Sequence, residues 1–403
     1  MARVAAEQSI TVHLETELAG TRGFVGNFAS SLERSGRHPS SASGERESGA
    51  DPEPVELDHG VTILATGGTE YRGDEYGYGT SRDILTQQEF ETRLAGYAAG
   101  AEDSAGQALP DSVVMIQCVG PAERYCARIC CTTALKNAIT LKRLHPSALI
   151  TVAYRDIRTY GFKERLYTQA RELGVIFVHY DDDHRPEVRV TGGSPGRETL
   201  RSTGGTGTVE VRLWEEALGR ELRFSPDLLV LSTPVVPARA AEELRNRLKV
   251  PLDEDGFFME AHAKLRPVDF LSAGLFMAGM AHYPRLLDEA IVHARAAAAR
   301  AAIVLSQDTI TTGGQVAEVS QELCVGCLTC VRSCGFGAVR ISPELTGVGG
   351  IPGAAIIEPA LCQGCGLCVA ACPAGAIDLM HYTDQQVRAK VAALFTPGPE
   401  AQG

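Results

Sequence analysis

Eight cysteines near the C-terminus stand in two runs of identical spacing, and this feature constrains the fold of the chain more than any other. The runs are Cys324-x2-Cys327-x2-Cys330-x3-Cys334 and Cys362-x2-Cys365-x2-Cys368-x3-Cys372. Bacterial ferredoxins with two [4Fe–4S] clusters have this spacing, and the fourth cysteine of each run binds the cluster of the other run. The spacing therefore predicts one cluster on Cys324, Cys327, Cys330 and Cys372, and a second on Cys362, Cys365, Cys368 and Cys334. Zinc is the alternative metal for these thiols.

The other four of the twelve cysteines lie within fourteen residues in the middle of the chain: Cys118, Cys126, Cys130 and Cys131. An apolar run at 113–116, typical of a buried strand, precedes them, and residues 132–144 follow with apolar side chains at helical spacing. Dinucleotide-binding βαβ units have a glycine loop at this junction. Thiolates instead bind iron–sulfur clusters or zinc. We therefore predict a third [4Fe–4S] cluster in this loop, with zinc and buried structural thiols as the alternatives.

Predicted strands and helices alternate after this cysteine loop. Apolar runs at 148–154 and 175–180 predict two strands with a helix at 163–173 between them, and the buried run at 227–233 closes the unit. A βαβαβ order implies a parallel sheet with right-handed crossovers. We therefore predict an α/β fold class for this part of the chain.

The charge and the apolar runs of the chain argue against nucleic-acid binding, a membrane span and export. The formal net charge is −12 at pH 7, which argues against nucleic acid as a partner. No apolar run has the length of a membrane span, and Glu7 interrupts the stretch in which a signal peptide needs apolar residues. We therefore expect a cytoplasmic protein with no membrane span, in which a disulfide framework is improbable.

Two buried strands, at 61–66 and 274–279, end at small residues that let the backbone approach a ligand closely. A predicted helix at 285–306 follows the second strand, and the N–H groups of its first turn would suit a pyrophosphate or a ribityl chain. The predicted cofactor-binding residues are Thr66, Gly67, Gly68, Thr233, Gly274, Ala278 and Gly279. The alternative for these positions is an ordinary exit from strand to loop.

Several stretches together carry a resemblance to a known family. They are 23–28, 66–67, 76–79, 117–120, 125–131, 154–163, 264–269, 274–279 and the cysteine runs at 324–372. On these residues the chain resembles the A-type subunit of heterodisulfide reductase, an iron–sulfur flavoprotein of methanogens and many anaerobic bacteria. The resemblance covers nearly the whole chain, and the Cys-Cys ending of the loop is its most diagnostic part.

The resemblance implies a division into three domains. A partial thioredoxin-reductase-like flavin domain at 1–110 and 234–310 would hold FAD. An inserted Rossmann-like α/β domain at 111–233 would hold the loop cluster. A C-terminal α+β dicluster ferredoxin domain would span 315–385.

The resemblance also implies two residues near the flavin ring, which are the predicted catalytic residues. Lys136 matches a lysine that follows the Cys-Cys pair in the family, and a cationic side chain there would stabilise reduced, anionic flavin. Glu89 matches an acidic residue in the helix that follows the stretch at 76–79. The alternative is a solvated helix face for Lys136 and an exposed helix charge for Glu89.

The chain departs from the family in two places. The family's N-terminal part, with its own cluster segment and the G-x-G-x-x-G unit for the FAD adenosine, has no counterpart here. We therefore expect a partner chain to supply that flavin-binding half and to share the FAD. Met280 stands where related disulfide reductases have an aspartate for the flavin. The family also lacks that aspartate, which favours it over a nicotinamide-linked disulfide reductase.

The resemblance implies an electron-transferring subunit that passes electrons between a flavin and three [4Fe–4S] clusters, with flavin-based electron bifurcation as a further expectation. The implied partners are B-type and C-type subunits and a hydrogenase or dehydrogenase module that supplies electrons. One alternative is a purely iron–sulfur relay without its own flavin. Another is a pyridine-nucleotide disulfide reductase, but the inserted unit has neither the redox Cys-x-x-Cys nor the glycine loop that such an enzyme needs.

Overall fold

A computed structural model describes residues 2–34, 54–99, 109–191, 208–311 and 315–395. In this part of the chain the helices are α1 (Ala2–Ala5), α2 (Gln87–Ala98), α3 (Ile129–Leu144), α4 (Glu164–Glu172), α5 (Ala241–Leu248), α6 (Leu287–Leu305), α7 (Thr329–Ser333), α8 (Leu367–Ala371) and α9 (Asp384–Phe395). Within the described ranges, none of these helices is both long enough and apolar enough to cross a membrane.

The strands form one five-stranded sheet and several smaller ones. In chain order they are β1 (Thr16–Phe24), β2 (Asn27–Arg34), β3 (Val55–His59), β4 (Thr62–Leu64), β5 (Gly68–Glu70), β6 (Ile84–Thr86), β7 (Ser112–Ile116), β8 (Leu149–Tyr154), β9 (Ile176–His179), β10 (Glu187–Thr191), β11 (Thr208–Glu215), β12 (Arg220–Phe224), β13 (Leu228–Leu231), β14 (Val235–Pro237), β15 (Leu275–Met277), β16 (Ala317–Val319), β17 (Val339–Thr346), β18 (Pro352–Ile357) and β19 (Ile377–Leu379).

The largest sheet is parallel throughout and has the strand order β6-β13-β7-β8-β9. Its central strands are short apolar runs, as expected where both faces of a parallel sheet are covered. Helices α2 and α3 cover one face with Phe90 and Leu135. The antiparallel sheet β10-β11-β12 covers the other face with Val211 and Leu213. The predicted βαβαβ order and the α/β fold class of this part are confirmed.

The parallel sheet also contains a strand from before residue 111. Ile84 of β6 pairs with Leu229 of β13, and α2, which follows β6 directly, packs Phe90 and Leu94 into the core of the sheet. The sequence did not indicate β6, because a strand of three residues is too short to show a period. We therefore propose that the inserted domain includes residues 84–98 in addition to 111–233.

The two strands that lead to the predicted cofactor-binding glycines form a small parallel pair. In this pair Ile63 of β4 lies opposite Phe276 of β15. Side chains of β15 alternate between its two faces. Leu275 packs with Phe28 of β2 on one face, whereas Phe276 packs with Ala297 of α6 on the other. The pair therefore links the N-terminal strands to α6.

The C-terminal part consists of two similar halves. Strand β16 pairs with β19 and β17 pairs with β18, all antiparallel. The short helices α7 and α8 each begin after a left-handed residue, Leu328 at φ 65° and Gly366 at φ 74°. Small buried side chains such as Ala338 and Ala376 fill the core between the halves. This is the predicted α+β arrangement of a dicluster ferredoxin.

Candidate iron–sulfur centres and flavin site

Two separate cavities in the C-terminal part divide the eight cysteines between them. One cavity is lined by Cys324, Cys327, Cys330 and Cys372. The other is lined by Cys334, Cys362, Cys365 and Cys368. Each run thus places three thiols in one cavity and its fourth thiol in the other. This is the crossed division that the spacing predicted, and all twelve cysteines of the chain are free of disulfides.

The short helices produce this crossing. Cys330 lies in the first turn of α7 and faces its own cavity, whereas Cys334 follows the end of α7 in extended backbone (φ −80°, ψ 103°) and leads away from it. Cys368 and Cys372 repeat the arrangement around α8. The last three residues of each short helix therefore separate the third ligand of each run from the fourth.

Backbone amides approach four of the eight sulfurs. In the first cavity, the N–H groups of Ala355 and Ala376 donate to Cys324 Sγ at 3.4 Å and to Cys372 Sγ at 3.3 Å. In the second cavity, Ala317 and Ala338 donate in the same way, to Cys362 Sγ at 3.5 Å and to Cys334 Sγ at 3.3 Å. Amide donors stabilise thiolates, which are the form that binds metal.

Burial and crowding raise the pKa of thiols in both cavities. Burial, together with the neighbouring Cys362, Cys334 and Cys365, raises the pKa of Cys368 to about 11. Burial also raises the pKa of Cys330, with Cys324 and Cys327 adding to the effect. Bound iron would supply the positive charge that lets such thiols bind as thiolates. The donor set and the cavities therefore fit two [4Fe–4S] clusters.

The four cysteines of the middle loop also come together. Cys118 follows β7 in a left-handed conformation at φ 59°, and Cys130 and Cys131 occupy the first turn of α3. Burial raises the pKa of Cys118 to about 11, with Cys131 and Cys126 adding to the rise. A hydrogen bond between Cys130 and Cys131 raises the pKa of Cys130 and lowers that of Cys131 to about 7. Each thiol therefore lies within electrostatic reach of the others.

Buried polar atoms flank these loop thiols without protein partners. They are the side-chain amide of Gln117 and the hydroxyls of Thr132 and Thr159. Unpaired buried donors of this kind are costly and call for a missing acceptor, which the sulfur atoms of a cluster provide.

The glycine exits of β4 and β15 lie side by side at the carboxyl ends of the parallel pair. The N–H of Ala278 donates to Leu64 O at 2.8 Å. A side chain at Gly67 (φ 69°) or Gly279 (φ 64°) would meet nothing within 4 Å, so the space beside both glycines is open. Ligands of parallel α/β sheets bind outside the carboxyl ends of the strands. The exits therefore fit one wall of a flavin site.

Two predicted cofactor-binding residues lie elsewhere. Gly274 is at the opposite end of β15, where an added Cβ would stand 2.9 Å from atoms of Val25 and Phe28. This position therefore requires glycine for close packing, and its contact with a cofactor stays a prediction. Thr233 lies on the side of the cysteine loop, because the N–H of Val119 donates to Ser232 O at 3.3 Å. The hydroxyl of Thr233 is buried without a partner.

The two predicted catalytic residues have partners on the protein surface. Lys136 Nζ lies 2.5 Å from Glu91 Oε1, and both side chains are about half exposed, at 47% and 50%. Glu89 forms a capping box with Thr86 at the start of α2 and accepts a hydrogen bond of 2.8 Å from the Tyr78 hydroxyl. The contact of Lys136 matches its alternative, a solvated helix face. Glu89 is only 30% exposed and has structural contacts, so it is not simply the exposed helix charge of its alternative. Their roles beside a flavin stay predictions.

Arg128 has a functional position that the sequence analysis missed. It lies between Cys126 and Cys130, and its guanidinium reaches the start of α6, where it pairs with Glu289 at 3.3 Å. Tyr160 donates to the same carboxylate at 2.7 Å. These contacts join the cysteine loop to the helix beside the glycine exits. The sequence shows an arginine between two candidate ligands, but it does not show the contact, because Glu289 is far from Arg128 along the chain.

Comparisons with known proteins add to this geometry. A family model described as "4Fe-4S dicluster domain" matches residues 323–376. The A-type subunit of the "H(2):CoB-CoM heterodisulfide,ferredoxin reductase" of Methanothermobacter thermautotrophicus is 36% identical over 359 residues, which cover 85% of this chain and 50% of that protein. Over most of its own length the chain is similar to the A-type subunits of heterodisulfide reductases. It spans about half the length of the curated relatives it matches, with 50% coverage of the first.

Other A-type subunits match in the same way. That of the "Ferredoxin:CoB-CoM heterodisulfide reductase" of Methanosarcina acetivorans is 31% identical over 86% of this chain and 45% of that protein. Among solved structures, a thioredoxin reductase of T. acidophilum has a TM-score of 0.42 and 14% identity, and the match covers 73% of this chain and 74% of that chain. The sequence matches confirm the resemblance to the A-type subunit of heterodisulfide reductase, and the family model confirms the C-terminal dicluster domain.

Proposed function

We propose that this chain is an iron–sulfur electron-transfer subunit of a heterodisulfide-reductase-like oxidoreductase complex. The observation that carries the proposal is the division of eight thiols between two cavities, four in each. The names of the relatives support the reaction class, since they are reductase subunits. Each bound cluster would take up and release one electron at a time.

We further propose a third cluster on Cys118, Cys126, Cys130 and Cys131. The crowding of these thiols and the unpartnered donors of Gln117, Thr132 and Thr159 support it. A reductive titration of the anaerobically purified chain, followed by low-temperature electron paramagnetic resonance, tests the proposal. Three paramagnetic cluster signals are expected. If only two signals appear, the proposal of a loop cluster is wrong. If no signal appears, the proposed electron-transfer function is wrong.

The proposed flavin site lies at the exits of β4 and β15, where FAD would convert between paired and single electrons. The residues that support it are Thr66, Gly67, Ala278 and Gly279, and the space beside the two glycines is open. Gly68 packs against Val235, and its contact with the cofactor stays a prediction. Ile63 of β4 is 41% exposed, although parallel strands are normally covered on both faces. We propose that polypeptide beyond these 403 residues, from a partner chain, covers this edge and shares the FAD.

The remaining partners are proposed by similarity alone. They are B-type and C-type subunits and a hydrogenase or dehydrogenase module that supplies electrons in the cytoplasm. Electron bifurcation is a further proposal for the assembled complex. The alternative, an iron–sulfur relay without its own flavin, is favoured by one observation: Lys136 is paired with Glu91 on the surface.

The FAD content of the purified chain separates these alternatives. The chain should bind little FAD alone and about one FAD per chain when co-expressed with the N-terminal half of a related A-type subunit. Stoichiometric FAD on the chain alone would remove the need for a partner. No FAD in either preparation would favour the relay.

A further inference from the structure

A short arginine-containing segment lies beside the cysteine loop. It comprises residues 155–159 and leaves the end of β8, which neighbours β7 in the sheet. The carbonyl of Asp156 lies 3.7 Å from Cys131 Sγ. Arg155 lines an open cavity of about 820 Å³ together with Cys118 and Tyr180. The segment thus reaches two of the four loop thiols from one side.

Both arginines of this segment lie beside the loop thiols. Arg155 lines the same cavity as Cys118, and its backbone N–H donates to the Cys118 thiol. The backbone N–H of Arg158 donates to the thiol of Cys131. Positive charge is therefore held beside the loop by a segment that contains none of its cysteines.

A carboxylate on the far side of Arg155 works against this charge. Asp182 Oδ1 lies 3.3 Å from Arg155 Nη1 and 3.1 Å from Arg185 Nη2. The Arg155 side chain is 31% exposed, so water screens its charge only in part. Arg155 and Arg185 both line the cavity beside Cys118, and both form an ion pair with Asp182.

We infer that the positive charge of Arg155 raises the reduction potential of the loop cluster. A reduced cluster carries one more negative charge than an oxidised one, and a nearby cation stabilises the reduced form. Asp182 offsets part of this effect. The potential of the loop cluster should therefore lie above its value without Arg155 and below its value without Asp182. The inference rests on the proposed loop cluster.

Two substitutions of opposite charge effect test the inference. Arg155→Gln should shift the midpoint potential of the loop-cluster signal to a more negative value in a redox titration followed by electron paramagnetic resonance. Asp182→Asn should shift it to a more positive value, and Arg155→Lys should keep it near that of the unchanged chain. Arg165→Gln, at an exposed position on α4, makes the same charge change away from the loop and should leave the potential unchanged.

The outcomes separate the inference from the function on which it rests. An intact loop signal whose potential does not move in Arg155→Gln would overturn the inference, and so would shifts of the same sign in Arg155→Gln and Asp182→Asn. If the Arg155→Gln chain does not assemble the loop cluster, the Asp182→Asn chain provides the test. An unchanged potential in Asp182→Asn would also overturn the inference. Absence of a loop signal from the unchanged chain would instead contradict the proposed third cluster.

Discussion

Single thiols determine the chemistry of this chain, and their grouping was largely predictable. The two cysteine runs repeat a local spacing, so the ligand sets follow from the sequence without knowledge of the remaining fold. Gly274 and Lys136 were harder to predict. The reason for the glycine lies in Val25, and the partner of the lysine is Glu91 on another helix. Such non-local contacts leave no pattern in the sequence near either residue.

The crossed ligand sets give the first prediction. Cys372→Ser should remove the cluster of the first run and lower the iron content by about four atoms, because its thiol lines the cavity of Cys324, Cys327 and Cys330. The measurement is iron analysis with electron paramagnetic resonance of the remaining signals. Cys327→Ser is the matched control and should lose the same signal. Loss of the signal that Cys365→Ser removes would show that the runs are not crossed.

The middle loop gives a second prediction at this scale. Cys130→Ser should abolish the loop-cluster signal and leave both ferredoxin signals, because the loop thiols line neither of the two C-terminal cavities. Electron paramagnetic resonance at low temperature measures all the signals in one sample. Disappearance of the ferredoxin signals in this variant would mean that the twelve ligands are divided wrongly.

At the scale of elements, most strands of the parallel sheet were predictable from the sequence, whereas its edge strand β6 was not. The apolar runs predicted strands at 148–154 and 175–180, and the structure has β8 at Leu149–Tyr154 and β9 at Ile176–His179. These runs are long enough to stand out. Strand β6 has three residues, and its partner β13 is distant in the sequence. Only the assembled sheet shows that it belongs there.

The turns between cluster ligands give a prediction for one glycine. Gly364 has φ +65°, and a Cβ there would stand 2.5 Å from Gln315 O. Gly364→Ala should therefore lower stability by about 2 kcal/mol or more, since the left-handed conformation alone costs roughly 1–2 kcal/mol for other residues. The measurement is the denaturant concentration at which the cluster absorption of the anaerobic chain is lost.

Gly335 provides the matched control for this substitution. It lies next to Cys334, and an added Cβ would meet nothing within 4 Å. Gly335→Ala should therefore leave the midpoint almost unchanged. Equal effects of both alanines would show that the close approach of Gln315 does not govern this turn.

At the scale of the whole molecule, the cysteine loop is held against the region of the glycine exits. Arg128 pairs with Glu289, and Tyr125 packs edge-on against Phe257 and Tyr283, with ring centroids 5.9 Å from each. These contacts hold the cysteine loop between the proposed flavin wall and the parallel sheet. The sequence could not show this, because each contact joins residues that are far apart along the chain.

The number of clusters per chain is the central claim, and elemental analysis tests it most directly. Iron and acid-labile sulfide should be measured on the anaerobically purified, full-length chain, together with zinc. Three four-iron clusters predict about twelve iron atoms and about twelve sulfides per chain, with no zinc. About eight of each, or zinc in place of iron, would contradict the assignment of all twelve thiolates to clusters.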